Sequence, residues 1–540
     1  MTRKYCVLIL AVTIVACVLR LPRLAHRPMH GDEAIHAVKF GELLEHGTYV
    51  YDPNEYHGPT LNYLTLIPAW LTSAKNLTEV TEFTLRIVPV FMGVALVLLV
   101  VLISDGIGPG AAVYAALLTA ISPAMVFYSR YYIHEMLLVC FTFGLIVSGY
   151  RYLRSKNILW ALFAGTFAGL MHATKETSII AFGSLLLALL FTLLIQNKKE
   201  SFSTSIKSIK PNHLAAALGT AVVVSALFYS SFFTNPRGIV DSVRTYTTYF
   251  DRAGNNMLHI HPWYYYLKML VYYKYNGGPI WTEALIVILA VIGFTAAITK
   301  KGLSFADVTL IRFIAFYTLI MTTIYSVIAY KTPWCMLGFL QGMILLAGVG
   351  AVVIIHVVTK KIPRMVVILL LLGATVHLTW QSYLNNYKYY ADSNNPYVYA
   401  HPTTEIFTLV DRIEYYAKAH SDGYNMYVDI ICPGHDYWPL PWYLRSFTRV
   451  SYMDKVNEDK IPAPLIIASP EVETVLSKKF YDESIPFEKR QMYMYLFDEP
   501  PYYVWLRPKV KLLGFVRKDL WDAAHRKPIP NDLIKSTSEK

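Results

Sequence analysis

YCVLILAVTIVACVLRL, residues 5–21, is followed a few residues later by Gly31-Asp32-Glu33. The first run is apolar and nearly long enough to cross about 30 Å of hydrocarbon. The acidic pair therefore emerges at a lipid–water boundary, where a carboxylate can take a proton from a hydroxyl beside a lipid-borne substrate. Ile14-Val15-Ala16-Cys17 has the pattern of a lipoprotein cleavage box, but apolar residues continue to Leu21 and more spans follow, so a retained first span is expected.

Working outward, 55% of the 540 residues are apolar and only 16% are charged, which excludes a single soluble domain of ordinary composition. Further apolar stretches run approximately over 85–103, 110–128, 132–150, 158–173, 178–195, 213–233, 281–298, 311–330, 334–357 and 365–380. Together they predict a polytopic α-helical membrane protein with about eleven spans. The net charge of +12 sits in short clusters, Arg3/Lys4, Arg151/Arg154/Lys156, Lys198/Lys199/Lys207/Lys210, Lys300/Lys301 and Lys360/Lys361/Arg364. They mark every second junction, as a cytoplasmic N-terminus requires. No basic face forms, so nucleic acid is not an expected partner. The five cysteines show neither a disulfide framework nor zinc spacing.

This topology places two long loops, 22–84 and 234–280, on the outer face. Within the second, Pro262 to Leu270 is rich in aromatics and carries Lys268, which suits a helix lying in the membrane interface. After residue 380 the composition turns water-soluble. Residues 1–380 read as a transmembrane domain and 381–540 as an extracytoplasmic α/β domain, with strands at 426–432 and 464–469 and helices near 403–419 and 470–479.

The chemistry-bearing residues collect at the outer junctions. Asp32 opens an amphipathic stretch, where its plainest role is a helix N-cap. The same loop holds His57-Gly58-Pro59-Thr60-Leu61-Asn62-Tyr63. Later outer junctions carry Ser129-Arg130-Tyr131-Tyr132-Ile133-His134-Glu135, His172-Ala173-Thr174-Lys175-Glu176-Thr177 and Lys331-Thr332-Pro333-Trp334. Singly, each charge there reads as a capping or snorkelling group. Their convergence on one membrane face singles them out.

Asp-Glu after the first span, the His-Gly-Pro-Thr-Leu-Asn-Tyr segment and Ser-Arg-Tyr-x-Ile-x-Glu resemble the protein O-mannosyltransferase and aminoarabinose-transferase group. These are membrane glycosyltransferases of the GT-C fold that use polyprenyl-phosphate sugars. Lys331 to Trp334, Asn395 to His401 and Tyr437 to Arg445 resemble more narrowly an archaeal and bacterial branch associated with surface-glycan and flippase genes. The mannosyltransferases usually carry Asp where this chain has Glu135. The resemblance implies inverting transfer of a sugar from a polyprenyl (dolichyl)-phosphate donor to an acceptor hydroxyl at the outer face of the cell (plasma) membrane. Asp32 would be the general base with Glu33 beside it, Arg130 and Lys175 would bind the donor phosphate, and Glu135, His57, Tyr63 and Lys331 would support the site. The acceptor would be a glycan, a lipid or a protein. Membrane lipids and a flippase or other glycosylation machinery are the further partners implied.

Spacing also makes His36, Glu55, His259 and His261 candidate ligands for a divalent metal. The competing reading is a non-catalytic, flippase-associated protein that only binds the lipid-linked sugar.

Overall fold

The computed structural model describes residues 3–54, 57–195, 209–255, 259–481 and 490–525. It divides into two compact units: Met1–His26 with Lys39–Tyr399, and Arg27–Val38 with Ala400–Lys540.

The first unit is a helical bundle of a multi-pass membrane protein. Among the described residues, seven helices are long and apolar enough to cross a bilayer, and the bent pair Pro109–Ile121 and Pro123–Ser129 makes an eighth if it is one span. Ile158–His172 and Ala284–Thr299 are apolar but shorter, and Arg3–Arg20 has 18 residues. All eleven predicted stretches are thus helical, while length and composition alone support seven or eight crossings. The 58° bend falls at Ser122-Pro123. Proline supplies no backbone donor there, and Ser122 Oγ caps the second piece by accepting from Met125 N at 3.3 Å. Helix contacts use small residues, because lipid tails give no hydrophobic drive for helices to associate. A Cβ on Gly293 would meet Leu346 O at 2.1 Å, and one on Gly350 would meet Leu289 O at 2.1 Å.

The expected interfacial segment is only a seven-residue helix, Tyr265–Val271, with Tyr266, Met269 and Leu270 buried. A longer amphipathic helix, Arg237–Asn255, precedes it. Its Asp241, Ser242 and Thr245 face inward while Val240 and Val243 are exposed. Val240 and Val243 share the outer side with the exposed Arg237 and Arg244, which fits a helix lying in the membrane interface.

Among the described residues, the second unit contains six strands: β1 Tyr427–Ile431, β2 Arg449–Met453, β3 Leu465–Ala468, β4 Tyr493–Tyr495, β5 Tyr503–Arg507 and β6 Val510–Arg517. The sheet order is β2-β1-β3-β6-β4, with β5 also paired to β6. β1 runs parallel to β2 and β3, and β6 antiparallel to β3, β4 and β5. Alternation along the strands gives the sheet two apolar faces. Val428, Ile430, Leu465 and Ile467 pack with Ile406, Leu409 and Ile413 of helix Glu405–Ala419. Ile431, Ile466 and Ala468 pack with Leu476 and Phe480 of helix Glu473–Phe480.

Candidate active site

The acidic pair lies in the second unit, where residues 27–38 seat on the tryptophan- and proline-rich motif. Met29 N donates to Tyr443 Oη at 2.8 Å, a Cβ on Gly31 would lie 3.7 Å from Trp438 Cβ, and the rings of His30 and His401 are 4.8 Å apart. Helix Gly31–His46 is capped by His30, not by Asp32: His30 Nδ1 accepts from Asp32 N at 3.0 Å. That nitrogen therefore carries no proton, and burial lowers the imidazole's pKa despite the neighbouring carboxylates. Glu33 completes the cap in reverse, accepting from His30 N at 3.0 Å. Its other oxygen lies 3.5 Å from Arg27 NH2, and its side chain is 0% exposed.

The pair is consequently unequal. Asp32 stands 45% exposed, 3.8 Å from the neutral His30, while Glu33 is buried and held by His30 N and Arg27. We expect Glu33→Gln, which removes the charge facing Arg27, to lower the melting temperature in detergent while the folded fraction keeps its activity within about threefold.

In the first unit, the His-Gly-Pro-Thr segment is sewn onto the turn between helices Ile158–His172 and Ser178–Ile195. Gly58 N donates to Thr174 O at 3.1 Å and Thr60 N to Ala173 O at 3.3 Å. A Cβ on Gly58 would meet Ala173 O at 2.2 Å, so only glycine allows this approach. Gly58→Ala should cost about 1–3 kcal/mol, read as a fall in melting temperature. Tyr63 Oη meets Ser231 Oγ at 2.5 Å.

This seam brings charged groups together. His57 Nδ1 lies 2.8 Å from Glu176 Oε2, and Tyr51 Oη donates to Glu176 Oε1 at 3.2 Å. Burial would raise the pKa of Glu176, but His57 and then Lys175 outweigh it and leave it lowered. Lys175 Nζ pairs with Glu135, and both are buried. Burial alone would strip the lysine of its proton; the Glu135 carboxylate reverses this and raises its pKa. Glu135 also lines a cavity of about 30 Å³ with Thr177, Tyr325, Trp334 and Cys335.

Arg130, expected at the donor phosphate, is held by backbone carbonyls in this structure. Its guanidinium donates to the carbonyls of Arg20 and Pro22, both at 2.8 Å, and of Arg23 at 3.3 Å, and it lies over the Tyr387 ring at 4.8 Å. Backbone carbonyls leaving the first helix thus take the donors that a phosphate would need.

Lys331 is likewise a fastener: Nζ donates to His261 O at 3.2 Å and to Ile328 O. His259 Nδ1 and His261 Nε2 share Tyr399 Oη at 2.6 and 3.1 Å. Of the metal candidates, Glu55 lies outside the described residues, and His36 belongs to the other unit from His259 and His261. Among the described residues no three His, Cys, Asp or Glu side chains gather to hold a metal, so no step is derived through one.

Two carboxylates deserved a role that the sequence reading did not assign. Glu176 was passed over beside Lys175. Glu283 was absorbed into the run 281–298, although an acid inside an apolar run is itself a signal. It is buried and accepts from Ser122 Oγ at 2.5 Å, Ala124 N at 2.9 Å and Tyr397 Oη at 2.7 Å. This ties the branch motif around Tyr397 to the break in the bent helix pair.

Residues 65–229 match the family model of the dolichyl-phosphate-mannose-protein mannosyltransferases, a segment that includes both members of the Glu135–Lys175 pair. No curated protein matches the sequence. Among solved structures, ArnT from Cupriavidus metallidurans bound to undecaprenyl phosphate is similar with a TM-score of 0.59 at 14% identity, covering 95% of this chain and 98% of that one. The oligosaccharyltransferase AglB from Archaeoglobus fulgidus, in complex with an inhibitory peptide and a dolichol-phosphate, gives 0.54 at 12% identity, covering 96% and 77%. The fold is that of the GT-C membrane glycosyltransferases. Together with the matched segment, this bears out the resemblance to that group read from the motifs.

Proposed function

We propose that the protein transfers a sugar from a polyprenyl (dolichyl)-phosphate donor to an acceptor hydroxyl at the outer face of the plasma membrane. The N-terminus is then cytoplasmic, the unit Met1–His26 with Lys39–Tyr399 forms the transmembrane domain, and the unit Arg27–Val38 with Ala400–Lys540 forms an extracytoplasmic domain. Asp32 takes the acceptor proton as the hydroxyl oxygen attacks the anomeric carbon. The sugar–phosphate C–O bond breaks with its electron pair going to oxygen, and polyprenyl phosphate leaves. One displacement inverts the anomeric centre. Phosphate is a good leaving group, so stabilising its charge replaces general-acid help. Lys175, kept cationic by Glu135, is the residue we assign to that phosphate.

The observation that carries this reading is the division of the acidic pair: Glu33 is bound into the cap while Asp32 keeps an exposed carboxylate. A polyprenyl phosphate as leaving group also accords with the lipid phosphates bound by ArnT and AglB. The test is transfer of radiolabelled sugar in membranes containing Asp32→Asn. Loss of transfer at normal expression is expected, and full activity would remove the proposal.

A further inference from the structure

Helix Glu135–Ser155 begins at the Lys175 pair and ends near Arg154, about 30 Å away for 21 residues. At that far end, Arg151 lies 3.4 Å from Asp105 and Asp307 N donates to Gly106 O at 2.7 Å. A cavity of about 570 Å³ opens there between helices Glu135–Ser155, Ser178–Ile195 and Val308–Val327. It is of ligand size and separate from the groups assigned to sugar transfer.

Its walls are apolar, formed by Leu145, Leu189 and Phe313, whereas Tyr150, Arg154 and Asp307 are polar members of the lining. Tyr150 is 7% exposed, and its hydroxyl has no hydrogen-bond partner among the described residues. Leu186, also lining the cavity, is 69% exposed, so the cavity opens toward the surface that lipid covers. Gly149 lines it with no heavy atom within 4 Å of an added Cβ.

We infer that this cavity is a binding site for one amine-bearing zwitterionic phospholipid of the bilayer. Its phosphate accepts from Arg154, its ammonium faces Asp307, and an acyl chain fills the apolar walls. Arg154 is exposed at a helix end, where long basic side chains reach headgroup phosphates. Asp307 turns one oxygen to Thr309 N and Leu310 N, at 2.9 and 3.3 Å. The combination of a cation and a carboxylate matches a phosphate beside an amine better than a purely anionic head.

The full chain, stripped of lipid in detergent, is incubated with dioleoyl phosphatidylethanolamine, dioleoyl phosphatidylglycerol or undecaprenyl phosphate and weighed by native mass spectrometry. We expect one phosphatidylethanolamine per chain, and at least tenfold less on both Gly149→Trp and Leu189→Trp at unchanged melting temperature. Asp307→Asn, which still caps its helix, should abolish the preference over phosphatidylglycerol. The inference is overturned if both tryptophan variants retain the lipid, if undecaprenyl phosphate displaces it, or if a second copy of the chain occupies the site instead.

Discussion

Replacing Asp32 with asparagine is expected to reduce sugar transfer by about 10³-fold, the middle of the range for a positioned general base. The amide keeps the size of the carboxylate and lies outside the cap, because His30 Nδ1 and Glu33 make the capping bonds. Expression and melting temperature should therefore stay at wild-type values. Glu33→Gln gives the opposite pattern, stability lost and chemistry kept. Measuring both variants for initial transfer rate and thermal unfolding separates a base from a structural acid. Two variants that behave alike would contradict the division.

The second large effect concerns Glu135 and Lys175. Removing one member of a buried ion pair leaves a charge without its counter-charge, at a cost of about 3–5 kcal/mol, whereas replacing both by apolar residues is often neutral or stabilising. Glu135→Leu alone should therefore unfold at markedly lower temperature or denaturant. Adding Lys175→Met should restore stability to within about 1 kcal/mol of wild type. Transfer should be absent in the rescued double variant, because the cation proposed for the phosphate has gone. A stable, active double variant would reduce the pair to a structural element.

The helical bundle was legible because a bilayer leaves backbone groups no partner except their own helix, so apolar length reports structure directly. The helix beginning at Asp32 was also legible from its periodicity, but its cap was not. A histidine capping through Nδ1 is uncommon, and serine, threonine, asparagine and aspartate are the usual expectation. The surroundings of Arg130 were not legible for a different reason. Its acceptors are carbonyls about 110 positions earlier in the chain, and no local pattern announces a backbone acceptor. The histidines at 259 and 261 are spaced like metal ligands, yet a tyrosine hydroxyl from position 399 binds both. In the second unit, β1 and β3 were plain as short apolar runs. β2 and β5 combine tyrosine with arginine, and β4 is only Tyr-Met-Tyr, so none of them stands out as a short apolar run.

The account depends most directly on a single displacement at the anomeric carbon of a polyprenyl-phosphate sugar. Purified protein, given such a donor of defined anomeric configuration and membrane-extracted acceptor, should yield a product whose anomeric signal in NMR is inverted. A product of retained configuration would require a covalent or otherwise two-step path and would contradict the account. No transfer from any polyprenyl-phosphate sugar, with the lipid still bound, would instead mark a non-catalytic partner of lipid-sugar export.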